Sequence, residues 1–331
     1  MKKILLATRD QSDTTSFLRA WGAFTTKEIS SIIEPCPYPN VMGWENDWTF
    51  FFRHDIIYLH RPNSHIDEVI INRAKLLGIP LWVDLDDDLQ NVPESNSCYR
   101  YYMNKATQDV VELAIKEADV LTVGGETHAK RLRDTYKREV TLIPNALDNR
   151  LLSLKKPHVR NKRIAWRGSD SHQIDLVAFQ EQILRLLREY PDWQWFFFGR
   201  YPLILQHEKY DNVKWGPEIN LAEYYVALTH FNAEIHIVPM LDNVFNRVKS
   251  NLSWSDATLA GSVAVVPDFE EFQRPGCFTY TDKANFYNHI RQLMDRERND
   301  QKFHDDSWEW IKENILMSKV NEKRIEIIKN L

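Results

Sequence analysis

The stretch Phe245-Asn246-Arg247-Val248-Lys249-Ser250-Asn251-Leu252-Ser253-Trp254-Ser255-Asp256, closed by Ala260-Gly261, reads as one helix. It is entered from an apolar run at 233–238 and left into Ser262-Val263-Ala264-Val265-Val266. Strand, helix and strand in that order require a crossover, so the flanking strands are parallel. Lys249 and Asp256 stand seven residues apart on this helix, two turns, and therefore share a face. A cation near the helix start and a carboxylate further along suit a ligand with a phosphate end and a hydroxylated end, as in a nucleotide-sugar. A solvated amphipathic face is the plainer reading of the same charges.

The alternation extends in both directions. Strands are expected at 3–7, 55–59, 80–83, 120–123 and 140–143. Helices are expected at 64–77, with Ser64 as N-cap and Gly78 as stop, at 98–117, and from about Thr127. Between 150 and 162 the chain turns polar, basic and proline-broken, as a linker does. The rhythm then restarts with strands at 164–166 and 195–198, helices at 173–189 and 220–230, and a nearly all-helical end at 283–331. The fold class is α/β, with two doubly wound domains: residues 1–154, residues 163–310, and a terminal helix at 311–331 expected to pack back on the first domain. Ligands of such sheets sit at the carboxyl ends of the strands, and in a two-domain version in the cleft.

Composition narrows the function. The chain has 331 residues, 43% hydrophobic and 27% charged, typical of a globular protein. No apolar run approaches the ~18 residues of a membrane span. The apolar run after Met1-Lys2-Lys3 is too short for a signal peptide, and Thr8-Arg9-Asp10 ends it. Cys36, Cys98 and Cys277 are far apart and fit no metal spacing, so a cytoplasmic location is expected. The net charge of −5 argues against a protein that coats nucleic acid generally. Two local basic patches remain, at 130–138 and 155–163, and with Tyr99, Tyr101 and Tyr102 they could contact a nucleic-acid backbone. The alternative for both is a solvated surface.

Several strand ends carry candidate chemistry. Trp166-Arg167-Gly168-Ser169-Asp170-Ser171-His172 offers a glycine for close backbone approach, an arginine fork for a diphosphate and hydroxyl donors from Ser169 and Ser171. Leu241-Asp242-Asn243-Val244-Phe245-Asn246 leads into the decisive helix; as the loop after Pro239 its amides would also face the cleft, with Arg247 and Lys249 near a second side of the same diphosphate. Val83-Asp84-Leu85-Asp86-Asp87-Asp88 is the most acidic point of the first domain. Four adjacent carboxylates repel one another, so raised pKa values are expected among them. They could bind a divalent metal, act as a general base or hold sugar hydroxyls, or simply cap a turn and pair with lysines and arginines. No further ligand set accompanies them, so no metal site is assigned and metal dependence stays open. His60 in His60-Arg61-Pro62-Asn63-Ser64 could serve as acid or base, or be structural. Gly124-Gly125-Glu126-Thr127-His128 closes another strand of the same domain and permits close ligand approach, or a plain turn.

The ordered landmarks carry a resemblance. They are Ala118-Asp119-Val120-Leu121-Thr122-Val123, Leu142-Ile143-Pro144-Asn145-Ala146-Leu147-Asp148, Trp166-Arg167-Gly168-Ser169, Phe198-Gly199, and Asn246-Arg247-Val248-Lys249-Ser250 through Asp256 to Gly261. Over most of its length the chain resembles a GT-B-fold, nucleotide-sugar-dependent glycosyltransferase of the retaining kind, similar to glycosyltransferase family 4. The resemblance implies two facing Rossmann-like domains, with a nucleoside-diphosphate sugar, a UDP-sugar in the first instance, held mainly by the second. Arg167, Gly168 and Ser169 would meet its phosphates, with Asn246, Arg247 and Ser250 beside them. Lys249 would neutralise the leaving diphosphate, and Asp256 would grip the ribose. Asp86, Asp87 and His60 would stand nearest the chemistry, with Asp84, Asp88, Gly124 and Gly125 on the acceptor side. No cofactor beyond the donor substrate is implied.

The chain departs from the family pattern in three places. Asp256 stands where a glutamate is usual, Val248 where a second glutamate is usual, and Thr8-Arg9-Asp10-Gln11-Ser12-Asp13 replaces a glycine-rich loop. The small size, sparse glycine and abundant tryptophan are similar to phage-encoded members. Some of those modify hydroxylated pyrimidines in DNA and others modify glycans, so the acceptor is DNA or a glycan. An epimerase or hydrolase of nucleotide-sugars on the same fold, or a non-catalytic sugar- or DNA-binding module, remain the alternatives.

Overall fold

The computed structural model describes residues 1–8, 13–37, 43–296 and 300–331. The loop residues Arg9, Asp10, Gln11 and Ser12 lie outside the described residues. Two parallel six-stranded sheets form the frame. The first comprises β1 (Lys2–Ala7), β2 (Ile33–Pro37), β3 (Ile56–His60), β4 (Leu81–Leu85), β5 (Val120–Val123) and β6 (Thr141–Leu142), in the order β2-β1-β3-β4-β5-β6. The second comprises β7 (Arg163–Gly168), β8 (Gln194–Gly199), β9 (Val213–Gly216), β10 (Ile235–Ile237), β11 (Val263–Pro267) and β12 (Cys277–Tyr280), in the order β12-β11-β10-β7-β8-β9. β3, β4 and β11 are buried along their whole length, which is why they read as continuous apolar runs rather than alternating ones. Strand order reverses between β1 and β3 in one sheet and between β10 and β7 in the other. These reversals open a crevice at the strands' carboxyl ends, and the two crevices face each other.

Local chemistry sets the helix ends. Ser64 and Asp67 form a reciprocal capping box at the start of His65–Leu77, and Gly78 ends that helix at φ +67°. The expected long helix at 98–117 is two, Tyr99–Tyr102 and Lys105–Glu117. Asn104 stops the first turn and caps the second helix through the Thr107 amide at 3.0 Å. The expected helix at 173–189 divides at Phe179. Strands β2, β9 and β12 were not expected. They lie toward the sheet edges, half-exposed or short, and lack the apolar run that marks the central strands.

The helix that opened the reading is also broken. Val244–Arg247 forms one turn, and Leu252–Leu259 is a separate helix. Lys249 and Asp256 are therefore not on one continuous helical face. Residues 248–251 lie outside both helices, and Lys249 and Ser250 among them reach across to the first domain, as described below. The start of Leu252–Leu259, at Leu252 and Ser253, lines the cleft and has no side-chain cap.

One apolar cluster joins the sheets. It includes Ile4, Leu6 and Tyr58 of the first sheet, Val266 of the second, Trp254 and Phe272 beside the second, and Ile311 and Met317 of the terminal helices. The helix Met317–Asn330 returns to the first sheet, where the Asn321 side chain donates to Thr26 Oγ1 at 2.9 Å and to the Ala23 carbonyl at 3.2 Å. No helix among the described residues is long and apolar enough to cross a membrane.

Candidate active site

A cavity of about 630 Å³ lies between the two sheets' carboxyl edges. From the second sheet it is lined by Arg167, Gly168 and Ser169 after β7, by Gly199 after β8, and by Lys249, Ser250, Leu252, Ser253 and Asp256 after β10. The first sheet contributes Arg61, Asp86 and Asp87, and Thr14 and Thr15 stand beside them. Gly199 has φ +105°, and a Cβ there would sit 2.3 Å from the Gly168 carbonyl oxygen. Only glycine lets β7 and β8 close so tightly at the cavity floor.

The first-domain wall is a network of ion pairs. Arg61 carries φ +51°, a left-handed conformation rarely adopted by a non-glycine residue. From it the guanidinium reaches both oxygens of Asp86, with Nη2 2.6 Å from Oδ2, and Asp87 Oδ2 at 2.7 Å. His60 Nε2 lies 3.2 Å from Asp86 Oδ1, and its Nδ1 lies 3.5 Å from Ser16 Oγ. His60 is buried behind Asp86 and is not among the cavity-lining residues. Lys249 crosses the cleft to Asp87 Oδ1 at 2.9 Å, with its ammonium 4.4 Å from the Phe245 ring centre. Beside it the Asn145 amide donates to Ser250 Oγ at 2.8 Å.

The aspartates do not all behave as their crowding predicts. Burial alone would raise Asp84, Asp86 and Asp87, but cations outweigh it: Arg19 at Asp84, Arg61 at Asp86, Lys249 and Arg61 at Asp87. All three lie below the ordinary value of 3.8, and Asp86 lies well below it. Asp88 is raised, because burial outweighs Arg131. The sign for stability follows. A lowered carboxyl contributes stability that is full above its unfolded pKa and lost as pH falls through the folded one; Asp88, and the similarly raised Asp256, act oppositely. Urea midpoints measured between about pH 3 and 6 should therefore fall as pH drops below about 4. Asp87→Asn should flatten that slope, and an unchanged slope would show that the cross-cleft pair carries no stability.

Two of the acidic residues stand away from the cavity. Asp84 is 1% exposed and clasped by Arg19, with Nε to Oδ2 at 2.8 Å, and it also accepts from Thr122. Asp88 is fully buried against Arg131 and Asn91. Both are consumed in holding the strand end. Gly124 and Gly125 do not reach the cavity either. Glu271 of the second domain fills that place, accepting from the Glu126 amide at 2.6 Å, and Glu270 accepts from Thr127 Oγ1 at 2.8 Å. Asn246 is buried with its amide donated to Asp175 and the Leu241 carbonyl, and Arg247 turns outward to Asp242. Neither lines the cavity. No three His, Cys, Asp or Glu side chains among the described residues gather as a metal-ligand set.

On the second-domain wall, Arg167 meets Asp256 at 3.2 Å, and Asp256 also accepts from Tyr224 and Tyr225, each at 3.1 Å. His172 lines the cavity, and burial holds its imidazole below the usual value, with Asp175 opposing that shift. Sequence reasoning did not single out Asn145, Arg61, Tyr224 or His172. Arg61, Asn145 and His172 lie within stretches quoted for other residues, Tyr224 lies in none, and the fold brings all four to this crevice.

Most basic residues of the two patches have partners within the protein. Lys130 pairs with Asp134, Arg131 with Asp88, Arg133 with Glu126, and Arg138 caps carbonyls at Lys116 and Ala118. In the linker Arg160 pairs with Glu234, Lys162 with Asp192, Arg163 donates to Phe231, and Lys155 lies over Trp308.

No family model matches the chain, and no curated protein matches it by sequence. Solved structures share its architecture. HepE of Anabaena, in complex with UDP-glucose, matches over 100% of both chains with a TM-score of 0.69 at 13% identity. A UDP-forming α,α-trehalose-phosphate synthase from Burkholderia xenovorans gives a TM-score of 0.60 at 15% identity, over 83% of this chain and 74% of that one. A Listeria monocytogenes protein assigned as a UDP-N-acetylglucosamine 2-epimerase gives 0.57 at 10% identity, over 99% and 95%. The chain is similar to HepE in fold along its whole length, and that fold is GT-B-like.

Proposed function

We propose that this protein is a glycosyltransferase that moves a sugar from a UDP-sugar to a hydroxyl of a glycan acceptor. The observation that carries the reading is the convergence of Arg167, Lys249 and the start of the helix Leu252–Leu259 on one crevice between two strand-end walls. Two cations and a helix N-terminus stabilise a diphosphate, and more so as it gains charge on leaving. HepE with UDP-glucose and the UDP-forming synthase support a uridine donor by likeness of fold. Asp86 and Asp87 are ion-paired and hold their protons weakly, so neither suits the role of general base. That favours retention over base-assisted inversion. The intramolecular pairing of both basic patches favours a glycan over a DNA backbone as acceptor.

The test is a panel of UDP-hexoses and UDP-pentoses offered with neutral oligosaccharides and with DNA containing hydroxylated pyrimidines, read by mass spectrometry. Glycosylated oligosaccharide is expected; glycosylated DNA would reverse the choice of acceptor. The epimerase-like likeness in fold gives a second reading its footing. Donor incubated alone separates it, since an epimerase or hydrolase changes the donor without acceptor. Donor binding with no turnover across the panel would mark a non-catalytic module.

A further inference from the structure

We infer that Asp256 is a positioning residue that aims Arg167 at the donor diphosphate, and does not hold the ribose hydroxyls. This rests on the nucleotide-sugar reading of the cleft. A carboxylate offers about four acceptor sites; two tyrosine hydroxyls hydrogen-bond to this one and the Arg167 guanidinium is ion-paired with it. Tyr225 OH meets Oδ1, while Tyr224 OH and Arg167 Nη2 meet Oδ2, at 3.1, 3.1 and 3.2 Å. The residue is 1% exposed, so little of it faces a ligand. Aspartate is also one methylene shorter than glutamate, which draws its oxygens back toward Tyr224 and Tyr225 of the helix Leu221–Phe231.

Arg167 needs such an anchor. Its Nε is buried and bonds to nothing in the protein, while the side chain keeps 21% exposure toward the cavity. Asp256 is the carboxylate ion-paired with this guanidinium. With the two tyrosine hydroxyls donated to the same carboxylate, the charge that orients Arg167 is held on three sides. The shorter residue thus changes the job of this position from binding the sugar of the nucleoside to setting the group that binds its phosphates.

The two roles separate by ligand. Uridine carries the ribose without phosphate, and inorganic pyrophosphate carries the phosphates without ribose. For Asp256→Asn, calorimetry should show UDP and pyrophosphate weakened by about 10- to 100-fold, as expected for one lost charge-assisted contact, with uridine within about twofold of wild type. Uridine weakened as much as UDP would overturn the inference. If Asp256→Asn does not fold, the double variant Arg167→Met/Asp256→Asn removes the pair together and leaves no buried charge unpaired. Its uridine affinity should equal that of wild type, and its UDP affinity should equal that of Arg167→Met alone. A further loss of either relative to Arg167→Met would overturn the inference. A wild-type protein that binds neither UDP nor pyrophosphate would fail the underlying reading and this inference with it, an outcome distinct from a ribose role.

Discussion

Lys249→Ala should lower the turnover of sugar transfer by about 10²- to 10³-fold while leaving the protein folded, the range seen when one preorganised group that stabilises developing charge is removed. Lys249 stands where it can do this. Its ammonium lies in the crevice, is only 14% exposed, and is carried on the non-helical link between Val244–Arg247 and Leu252–Leu259. In the structure it pairs with Asp87, which Arg61 also holds. A diphosphate carries more negative charge than a single carboxylate and can draw the ammonium away, leaving Asp87 on Arg61. In the variant Asp87 keeps Arg61 as its cation, so the unfolding temperature should change little. UDP release in the presence of acceptor measures the effect. Near-normal turnover would remove Lys249 from the chemistry.

The second large effect is on stability. Arg19→Met leaves the Asp84 carboxylate buried at 1% exposure without its cation, and breaking such a pair costs about 3–5 kcal/mol. At roughly 2–4 °C per kcal/mol, the unfolding temperature of the first domain should fall by on the order of 10 °C. Arg19 also donates to the Ile143 carbonyl and to Asn145 Oδ1, so its loss loosens the strand end that presents Asn145 to Ser250. Adding Asp84→Asn removes the unpaired charge and should recover much of the loss. The double variant should then transfer sugar at a rate close to wild type. A double variant that is stable but inactive would assign chemistry to Asp84 that its burial argues against.

The central strands were legible because β3, β4, β8 and β11 are buried runs of large apolar residues, and the helix His65–Leu77 because its cap and stop are written in Ser64, Asp67 and Gly78. The edge strands β2, β9 and β12 were not, since pairing to a formed sheet, more than their own composition, makes them strands. At the site, strand-end position drew attention to Arg167, Asp86 and Asp87, and the charged helix to Lys249; all four line the cavity. It could not tell which of four adjacent aspartates point into the crevice. That depends on partners 43 to 65 residues away, Arg131 for Asp88 and Arg19 for Asp84. Nor could helical periodicity foresee the break at 248–251. The contacts made there, Lys249 to Asp87 and Ser250 to Asn145, span 162 and 105 residues of sequence. Asn246 and Arg247 looked like donor ligands by proximity, and the structure spends both on neighbouring carboxylates.

The central claim is that this crevice takes the diphosphate of a nucleotide-sugar between Arg167 and Lys249. A crystal structure of the protein with UDP tests it most directly. The expected result has the phosphates within hydrogen-bond reach of both side chains and of the amides opening Leu252–Leu259, with Lys249 released from Asp87. UDP bound elsewhere, or bound here with the Lys249–Asp87 pair intact, would contradict it.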